Sequence, residues 1–168
     1  MTLAQRSAIT RRALIGLLDV AAWRVFDANL RAPHDDATVT LDSLARAHLV
    51  KLNEHEVVTL AGWLDVRADA DVLFDRLRSQ FDTRSLCVTE GERGARLWHE
   101  GEQVIQAAVP TVVADTIGAG DSFLAVLLAE LLRGEPATNA MQRAARLAAF
   151  VASRPGASPD YRAADFRV

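Results

Sequence analysis

The sequence contains little cysteine, few aromatic residues and no excess of charge of one sign. Cys87 is the single cysteine among 168 residues, so no disulfide can form within the chain. This cysteine usage is typical of a reducing compartment, and we expect a cytoplasmic protein. The formal net charge is only -3, and no long run of like charges occurs. Nucleic acid and anionic membranes are therefore not expected as partners.

Long apolar runs and the commoner nucleotide-binding loops are missing as well. The longest apolar run, from Phe123 to Leu132, is interrupted by Glu130 and falls short of the roughly 20 residues that span a membrane. No G-x-G-x-x-G follows the first predicted strand and no G-x-x-x-x-G-K-[ST] occurs, which disfavours dinucleotide-binding and P-loop folds. The histidines lack metal-ligand spacing, and we expect them at the surface or at helix starts. They are His34, His48, His55 and His99.

The amino-acid composition is that of one globular domain. Half of the residues are hydrophobic and 24% are charged, which is sufficient to bury a core. Short apolar strands alternate with segments of helical spacing, which predicts an α/β fold with a parallel sheet flanked by helices. A turn-rich connection at residues 99–102 predicts an antiparallel hairpin at one edge. We find no repeat or linker, and we expect residues 1–168 to form a single domain.

The predicted elements follow from hydrophobic spacing and from turn residues. The predicted strands are 24–27, 48–52, 85–89, 95–98 and 103–106. The predicted helices are an N-terminal amphipathic helix through positions 9–21, then 40–47, 53–61, 68–79, an apolar helix from the glycines at 118–120 to about 133, and 138–153. The tryptophans are expected in the core or at an interface.

Residues 113–134 join a turn of small residues to the apolar helix. Gly118, Ala119 and Gly120 stand directly before Asp121. A helix start exposes unpaired N–H groups and the positive end of the helix dipole, and small residues let an anion approach the main chain. A carboxylate in the first turn suits a general base beside a phosphoryl group. A tight turn with a capping aspartate is the alternative that these residues leave open.

The apolar side chains that follow this turn have a second expected role. We expect them to bury the helix, each large side chain contributing about 1.5 to 3 kcal/mol. Burial of this kind would hold the anion site in a fixed position.

The longer segment DTIGAGDSF, from Asp115 to Phe123, resembles the signature of the ribokinase-like (PfkB) carbohydrate kinases. The resemblance implies a ribokinase-like fold, ATP and Mg²⁺ at the site, and a small-molecule sugar as phosphate acceptor. It also implies that Asp121 is the catalytic base and that the backbone of Gly118, Ala119 and Gly120 forms an anion hole.

Two further segments resemble motifs of the same family. Asn53 and Glu56 match its N-x-x-E motif, which implies a role for Asn53 near the nucleotide phosphates and for Glu56 in Mg²⁺ binding through water. Ordinary helix capping by the same residues is the alternative. The turn with Thr89, Gly91 and Gly94 resembles the strand and glycine turn along which the nucleotide phosphates lie, although an ordinary strand-to-hairpin turn has the same pattern.

Asp27, Asn29 and Arg31 resemble the D-x-N-x-R segment of fructokinase-like and ketodeoxygluconate kinase-like members, in which it faces the substrate or phosphate end. A salt bridge within a loop is the alternative. Residues 148–160 resemble the final helix and loop of the family, which in many members binds a monovalent cation such as K⁺. The resemblance places that site at four residues, for which a plain helix end is the alternative. They are Asp115, Ile117, Arg154 and Gly156.

The resemblance covers about the C-terminal half of a usual family member. The first strands of the sheet, the small β lid and most sugar-binding residues belong to the other half. Sheet edges and helix faces without their cover favour association. We therefore expect a homo-oligomer, association with a separate N-terminal half, or a truncated gene product. Two other functions stay open: a non-catalytic phosphate-binding or interaction module derived from a kinase, and an unrelated α/β phosphate binder.

Overall fold

The computed structural model describes residues 7–31 and 35–162, which form α-helices and the five strands of one sheet. The strands lie side by side in the order β1 to β5. β1 and β2 run parallel, with Asp27 opposite Lys51, and a two-residue turn joins β4 to β5. The expected α/β sheet with a hairpin at one edge is therefore confirmed. The strands are β1 Val25–Asp27, β2 Leu49–Asn53, β3 Ser85–Thr89, β4 Ala95–His99 and β5 Glu102–Gln106.

All six predicted helices are present, with small differences at their ends. The second begins three residues earlier than predicted because the Asp36 side chain accepts a hydrogen bond from Val39 N at 3.0 Å and so caps it. None of the described helices is long and apolar enough to cross a membrane. The helices are α1 Ala8–Val20, α2 Ala37–Leu44, α3 Glu54–Trp63, α4 Ala70–Gln80, α5 Ala119–Leu132 and α6 Ala137–Ala152.

Contacts divide the chain into two compact units, residues 1–88 with 98–101 and residues 89–97 with 102–168. In the first unit, apolar side chains from β1, β2 and β3 pack with those of α2, α3 and α4. Trp98 belongs to this core, and its Nε1 donates to Asp71 Oδ1 at 3.0 Å. The core position expected for Trp98 is confirmed. A single domain spanning the whole chain stays a prediction.

In the second unit, α5 and α6 pack against each other. Glu130 is buried between them and pairs with Arg143 and Arg133. Phe123 and Leu127 are the buried apolar residues of α5, while Leu132 is 67% exposed. The expectation that the apolar side chains bury α5 is therefore confirmed for Phe123 and Leu127 and wrong for Leu132, because α6 covers one face of the helix.

The N-terminal helix is present, but its apolar side chains are poorly covered. None of the residues of α1 is buried, and Ile9, Leu17 and Val20 are 81%, 66% and 82% exposed. Together with Ala13 and Gly16 they recur at helical spacing along one side of α1. We call these five residues the α1 stripe.

His48, at the start of β2, is buried, so the expectation of a surface or helix-start position is wrong for this residue. Arg24 explains the difference, because its Nη2 lies 2.6 Å from His48 Nε2 and supplies a partner inside the protein. The expectation holds for His55, which is exposed in the first turn of α3. His34 lies outside the described residues.

The surroundings of His48 disfavour its charged form. Burial lowers the pKa of His48 below 6.5, the charges of Arg24 and Arg84 lower it further, and Asp82 acts in the opposite direction. Because the unfolded chain binds a proton at this position more readily than the folded protein does, folding becomes less favourable in acid.

Above pH 6.5, we expect His48 to have no effect on how the free energy of unfolding varies with pH. As the pH decreases from 6.5 toward the lower pKa of His48 in the folded protein, the free energy of unfolding should fall. Urea denaturation between about pH 5 and 8 measures this dependence. His48→Gln should flatten it. Equal pH dependence in the wild type and in His48→Gln would contradict the assignment.

Candidate active site

The segment that follows β1 carries Asp27, Asn29 and Arg31. Asp27 Oδ1 accepts a hydrogen bond from Lys51 Nζ at 2.9 Å, and the side chains of Lys51 and Asp27 are only 7% and 14% exposed. Asn29 has a φ of 44°, a left-handed conformation that asparagine tolerates better than most residues. Arg31 is exposed. This segment is therefore anchored at Asp27 and open to solvent at Arg31.

Lys51 is a site residue that the sequence reasoning missed. It lies in β2, two residues before Asn53, among side chains that are buried. A lysine within an apolar strand is the signal that could have identified it, because a buried charge requires a partner. The parallel register then supplies Asp27 as that partner.

The Asp27–Lys51 pair also acts on Cys87, which lies buried in β3. Burial raises the pKa of Cys87 to about 12, with Lys51 acting against the shift and Asp27 adding to it. Because the thiolate is the reactive form of cysteine, Cys87 is inert at neutral pH. Cys87 is one of the buried residues of the core.

Asn53 and Glu56 form a reciprocal cap at the start of α3. Asn53 Oδ1 accepts from Glu56 N at 3.0 Å, and Glu56 Oε2 accepts from Asn53 N at 2.8 Å. The other carboxylate oxygen, Glu56 Oε1, accepts from Leu30 N at 2.9 Å. The structure thus joins the D-x-N-x-R segment to the N-x-x-E motif through Glu56, which is 5% exposed.

Each oxygen of Glu56 accepts one backbone N–H group, and the expected role of Glu56 in Mg²⁺ binding through water stays a prediction. Within residues 7–31 and 35–162, no group of three or more His, Cys, Asp or Glu side chains could hold a metal ion. Mg²⁺ is often held by one or two carboxylates together with substrate phosphates. A site of that kind fits this chain better than a metal cage made by the protein.

In the second unit, the turn from Thr89 to Gly94 is closed by backbone hydrogen bonds. Glu90 N donates to Gly94 O at 2.7 Å, and Gly91–Arg93 form a short 3-10 helix. The Glu90 carboxylate accepts from Arg96 at 2.6 Å, which neutralises a negative charge inside the turn. Gly91 stays exposed, so the main chain of the turn is accessible to a ligand.

The segment DTIGAGD forms a turn that leads into α5. Asp115 Oδ1 accepts from Ile117 N at 2.9 Å, and Asp115 Oδ2 accepts from Gly156 N at 3.2 Å. Gly118 occupies the N-cap position with no side-chain cap, and Asp121 lies exposed in the first turn of the helix. Ala119 N donates to Thr116 O at 3.3 Å. This N-H group therefore has an internal partner, which removes it from the predicted anion hole as the turn stands.

Three N–H groups of the same turn remain available. Among the residues that the structure describes, Gly118 N, Gly120 N and Asp121 N have no hydrogen-bond partner. An uncapped helix start with such groups and an exposed carboxylate suits binding of an anion next to a proton acceptor.

A family model described as "pfkB family carbohydrate kinase" matches residues 9–164 of this chain. The chain belongs to the pfkB family. The likeness predicted from the DTIGAGDSF segment is thereby confirmed, and the match extends over both compact units.

Relatives with assigned names are similar over part of their length. A pfkB relative named fructokinase, from Klebsiella pneumoniae, is 33% identical over 127 residues, which are 73% of this chain and 40% of that protein. A 2-dehydro-3-deoxygalactonokinase from Haloferax volcanii is 37% identical over 87 residues, which are 52% of this chain and 27% of that protein. The chain thus spans less than half the length of these two relatives.

Solved structures of pfkB-type kinases have the same fold. A fructokinase with bound ATP from Xylella fastidiosa has a TM-score of 0.75 and 22% identity, and the match covers 93% of this chain and 54% of that one. Aminoimidazole riboside kinase from Salmonella enterica gives a TM-score of 0.71 and 24% identity, with 93% and 55% covered. The ribokinase-like fold is therefore confirmed for this chain, which matches about half of each solved chain.

The first glycine of the pfkB signature is required by packing as well as by the approach of a ligand. Gly118 has a φ of 80°, and a Cβ at this position would lie 2.3 Å from Ala157 O. Gly94 is constrained in the same way, since its Cβ would lie 2.0 Å from Gln106 O. Backbone occupies the space of a side chain at both positions.

The residues predicted for a monovalent cation are brought together only in part. Asp115, Ile117 and Gly156 are joined by the hydrogen bonds of the Asp115 carboxylate. The guanidinium of Arg154 instead lies over the ring of Phe150, at 5.4 Å from its centroid. Because a cation site in this loop would use oxygen atoms, including those of the main chain, the position of the guanidinium leaves the predicted role of Arg154 untested.

Gly118→Ala should lower the free energy of unfolding by at least about 1 kcal/mol, because alanine disfavours positive φ and its methyl group would strike the Ala157 backbone. Gly62→Ala is the matched control. No atom lies within 4 Å of the corresponding Cβ in α3, and a gain of roughly 0.5 to 1 kcal/mol is expected. Urea denaturation of both variants provides the measurement, and equal effects of the two substitutions would contradict the packing argument.

Proposed function

We propose that this chain is the nucleotide-binding and catalytic half of an ATP-dependent kinase, which moves the γ-phosphoryl group of ATP to a hydroxyl of a sugar. One observation carries the proposal. Asp121 lies exposed in the first turn of α5, beside backbone N–H groups without partners among the described residues. Membership of the pfkB family supports the same conclusion.

In the proposed reaction, Asp121 accepts the proton of the sugar hydroxyl. The hydroxyl oxygen forms a bond to the γ-phosphorus while the bond from that phosphorus to the β,γ-bridging oxygen breaks, and ADP leaves with the electron pair. Gly120 N and Asp121 N donate to the phosphoryl oxygens as charge moves among them. Arg31 is exposed at the end of its segment and is proposed to serve the phosphate end as well.

ATP binding is proposed along the turn that carries Thr89, Gly91 and Gly94, whose main chain is closed on itself and open to solvent at Gly91. Mg²⁺ bound to the nucleotide phosphates would neutralise their charge. Asn53 is proposed to face these phosphates, since it is exposed at the start of α3. A K⁺ site at the Asp115 loop stays a proposal for the oxygen atoms near Ile117 and Gly156.

The acceptor is proposed to be a ketose or a keto-sugar acid. Asp27, Asn29 and Arg31 match the segment found in fructokinase-like members, and relatives named fructokinase and 2-dehydro-3-deoxygalactonokinase are similar to this chain. Cytoplasmic location likewise stays a prediction, which rests on the single cysteine.

Asp121→Asn should lower the turnover number by about 10² to 10⁴ because it removes the proton acceptor without changing the size of the side chain. ATP consumption across a panel of ketoses, keto-sugar acids and nucleosides provides the assay. Asp75→Asn, an exposed substitution on α4, is the matched control and should keep full activity.

Two results would refute the catalytic role. Wild-type turnover in Asp121→Asn would remove Asp121 from the mechanism. Absence of ATP consumption with every acceptor, in protein of confirmed intact mass, would favour the non-catalytic phosphate-binding module. That alternative rests on the short span of the chain relative to its named relatives.

We further propose that the chain associates, either with a second copy or with a separate polypeptide that supplies the other half of a pfkB fold. The apolar α1 stripe and the exposed Leu132 support this proposal, because apolar surface of this kind favours a protein partner.

Light scattering after size exclusion should give a mass above the 18.3 kDa of one chain. Leu17→Glu, in the middle of the α1 stripe, should lower that mass because it places a charge in the apolar contact. Ala8→Glu, at the first position of the same helix, is the control and should leave it unchanged. A compact monomer at all concentrations would contradict self-association.

A further inference from the structure

Glu56 holds two separate segments of the chain with one carboxylate. Its Oε2 accepts from Asn53 N at 2.8 Å, which is the bond of an ordinary capping box, and its Oε1 accepts from Leu30 N at 2.9 Å. A cap alone needs the first bond and leaves the second oxygen to solvent. Here the second oxygen is used by a residue 26 positions earlier in the chain.

The Leu30 bond comes directly after the strained point of the D-x-N-x-R segment. Asn29 has a φ of 44°, and a non-glycine residue stays in this region only when its surroundings hold it there. Two hydrogen bonds hold the residues that precede Asn29. Lys51 Nζ donates to Asp27 Oδ1 at 2.9 Å, and Ala28 N donates to Lys51 O at 3.3 Å. Glu56 supplies the contact after it.

We propose that Glu56 is a positioning residue, which fixes the direction of Asn29 and Arg31 by binding Leu30 N. This role rests on the proposed function, in which that segment faces the acceptor or phosphate end. The expected role of Glu56 in Mg²⁺ binding through water stays a separate prediction, since a carboxylate oxygen that accepts one backbone N–H group can accept a second hydrogen bond.

The arrangement explains why a glutamate is needed at this position. A shorter aspartate keeps the negative charge at the start of α3 but cannot reach both N–H groups, and a glutamine offers one acceptor oxygen in place of two. Glu56→Asp therefore keeps the charge at the start of α3 and removes the hydrogen bond to Leu30 N.

Amide hydrogen exchange of the free protein, followed by NMR without nucleotide, acceptor or metal, tests the proposal. Exchange at Leu30 should be at least about tenfold faster in Glu56→Asp and in Glu56→Ala than in the wild type, because a hydrogen bond to a charged acceptor is lost. Glu54→Gln removes a charge from the same helix turn and should leave Leu30 unchanged. The amide of Val50 in β2 reports whether each variant is folded.

Addition of millimolar Mg²⁺ or of EDTA should not alter exchange at Leu30. Protection that appears only with Mg²⁺, or a Leu30 amide that exchanges equally in the wild type and Glu56→Asp, would overturn the proposal. Because this measurement needs no turnover, its outcome is independent of whether the chain phosphorylates a sugar.

In protein that consumes ATP, Glu56→Asp should raise the KM for the acceptor by about tenfold or more, and by a larger factor than the KM for ATP. A merely structural role would lower the amount of active protein and would leave both KM values as they are. Equal rises in the two KM values would also count against the proposal.

Discussion

The arrangement of the second unit depends on the close contact between Gly118 and the backbone of Ala157. A side chain at Gly118 would meet a carbonyl oxygen at 2.3 Å, and its positive φ turns the chain into α5 without a capping side chain. The same contact brings the loop at Gly156 within hydrogen-bond distance of Asp115. The turn before α5 is thus held by its neighbours in the fold, which leaves Gly120 and Asp121 N–H groups for other partners.

The buried polar groups of the first unit are likewise held by partners within the fold. Asp27 and Lys51 satisfy each other inside the protein, and Glu56 satisfies two backbone donors. Buried polar groups of this kind contribute to stability only as complete sets, because an unmatched member would carry the full cost of its desolvation. The strain at Asn29 is maintained between these two sets.

Much of the fold could be predicted from the sequence because its signals are local. Strands β2 and β3 are short apolar runs, and the capping box of α3 and the glycine turn before α5 consist of residues close together in the sequence. The motif around Asp121 could be found for the same reason. The burial of His48 depends on Arg24, a contact between residues distant in sequence, and spacing along the chain contains no information about it.

The parts of the candidate site also differ in whether their residues are close together or far apart in the sequence. Asp115, Gly118 and Asp121 lie within one short motif, whereas the bond from Glu56 to Leu30 links segments 26 residues apart. The pairing of Lys51 with Asp27 required knowledge of the β1–β2 register, which places these two residues opposite each other. The exposure of Leu132 in α5 could not be predicted either, since an apolar sequence indicates a tendency to be covered and not the element that covers it.

Because Cys87 is buried, its rate of alkylation reports how often the protein opens transiently. Its sulfur lies in β3 with no exposed surface and a pKa of about 12, so an alkylating reagent can modify it only when the sheet opens. The labelling rate would therefore count transient openings of the strand layer, and a ligand that ties the strands together would slow it.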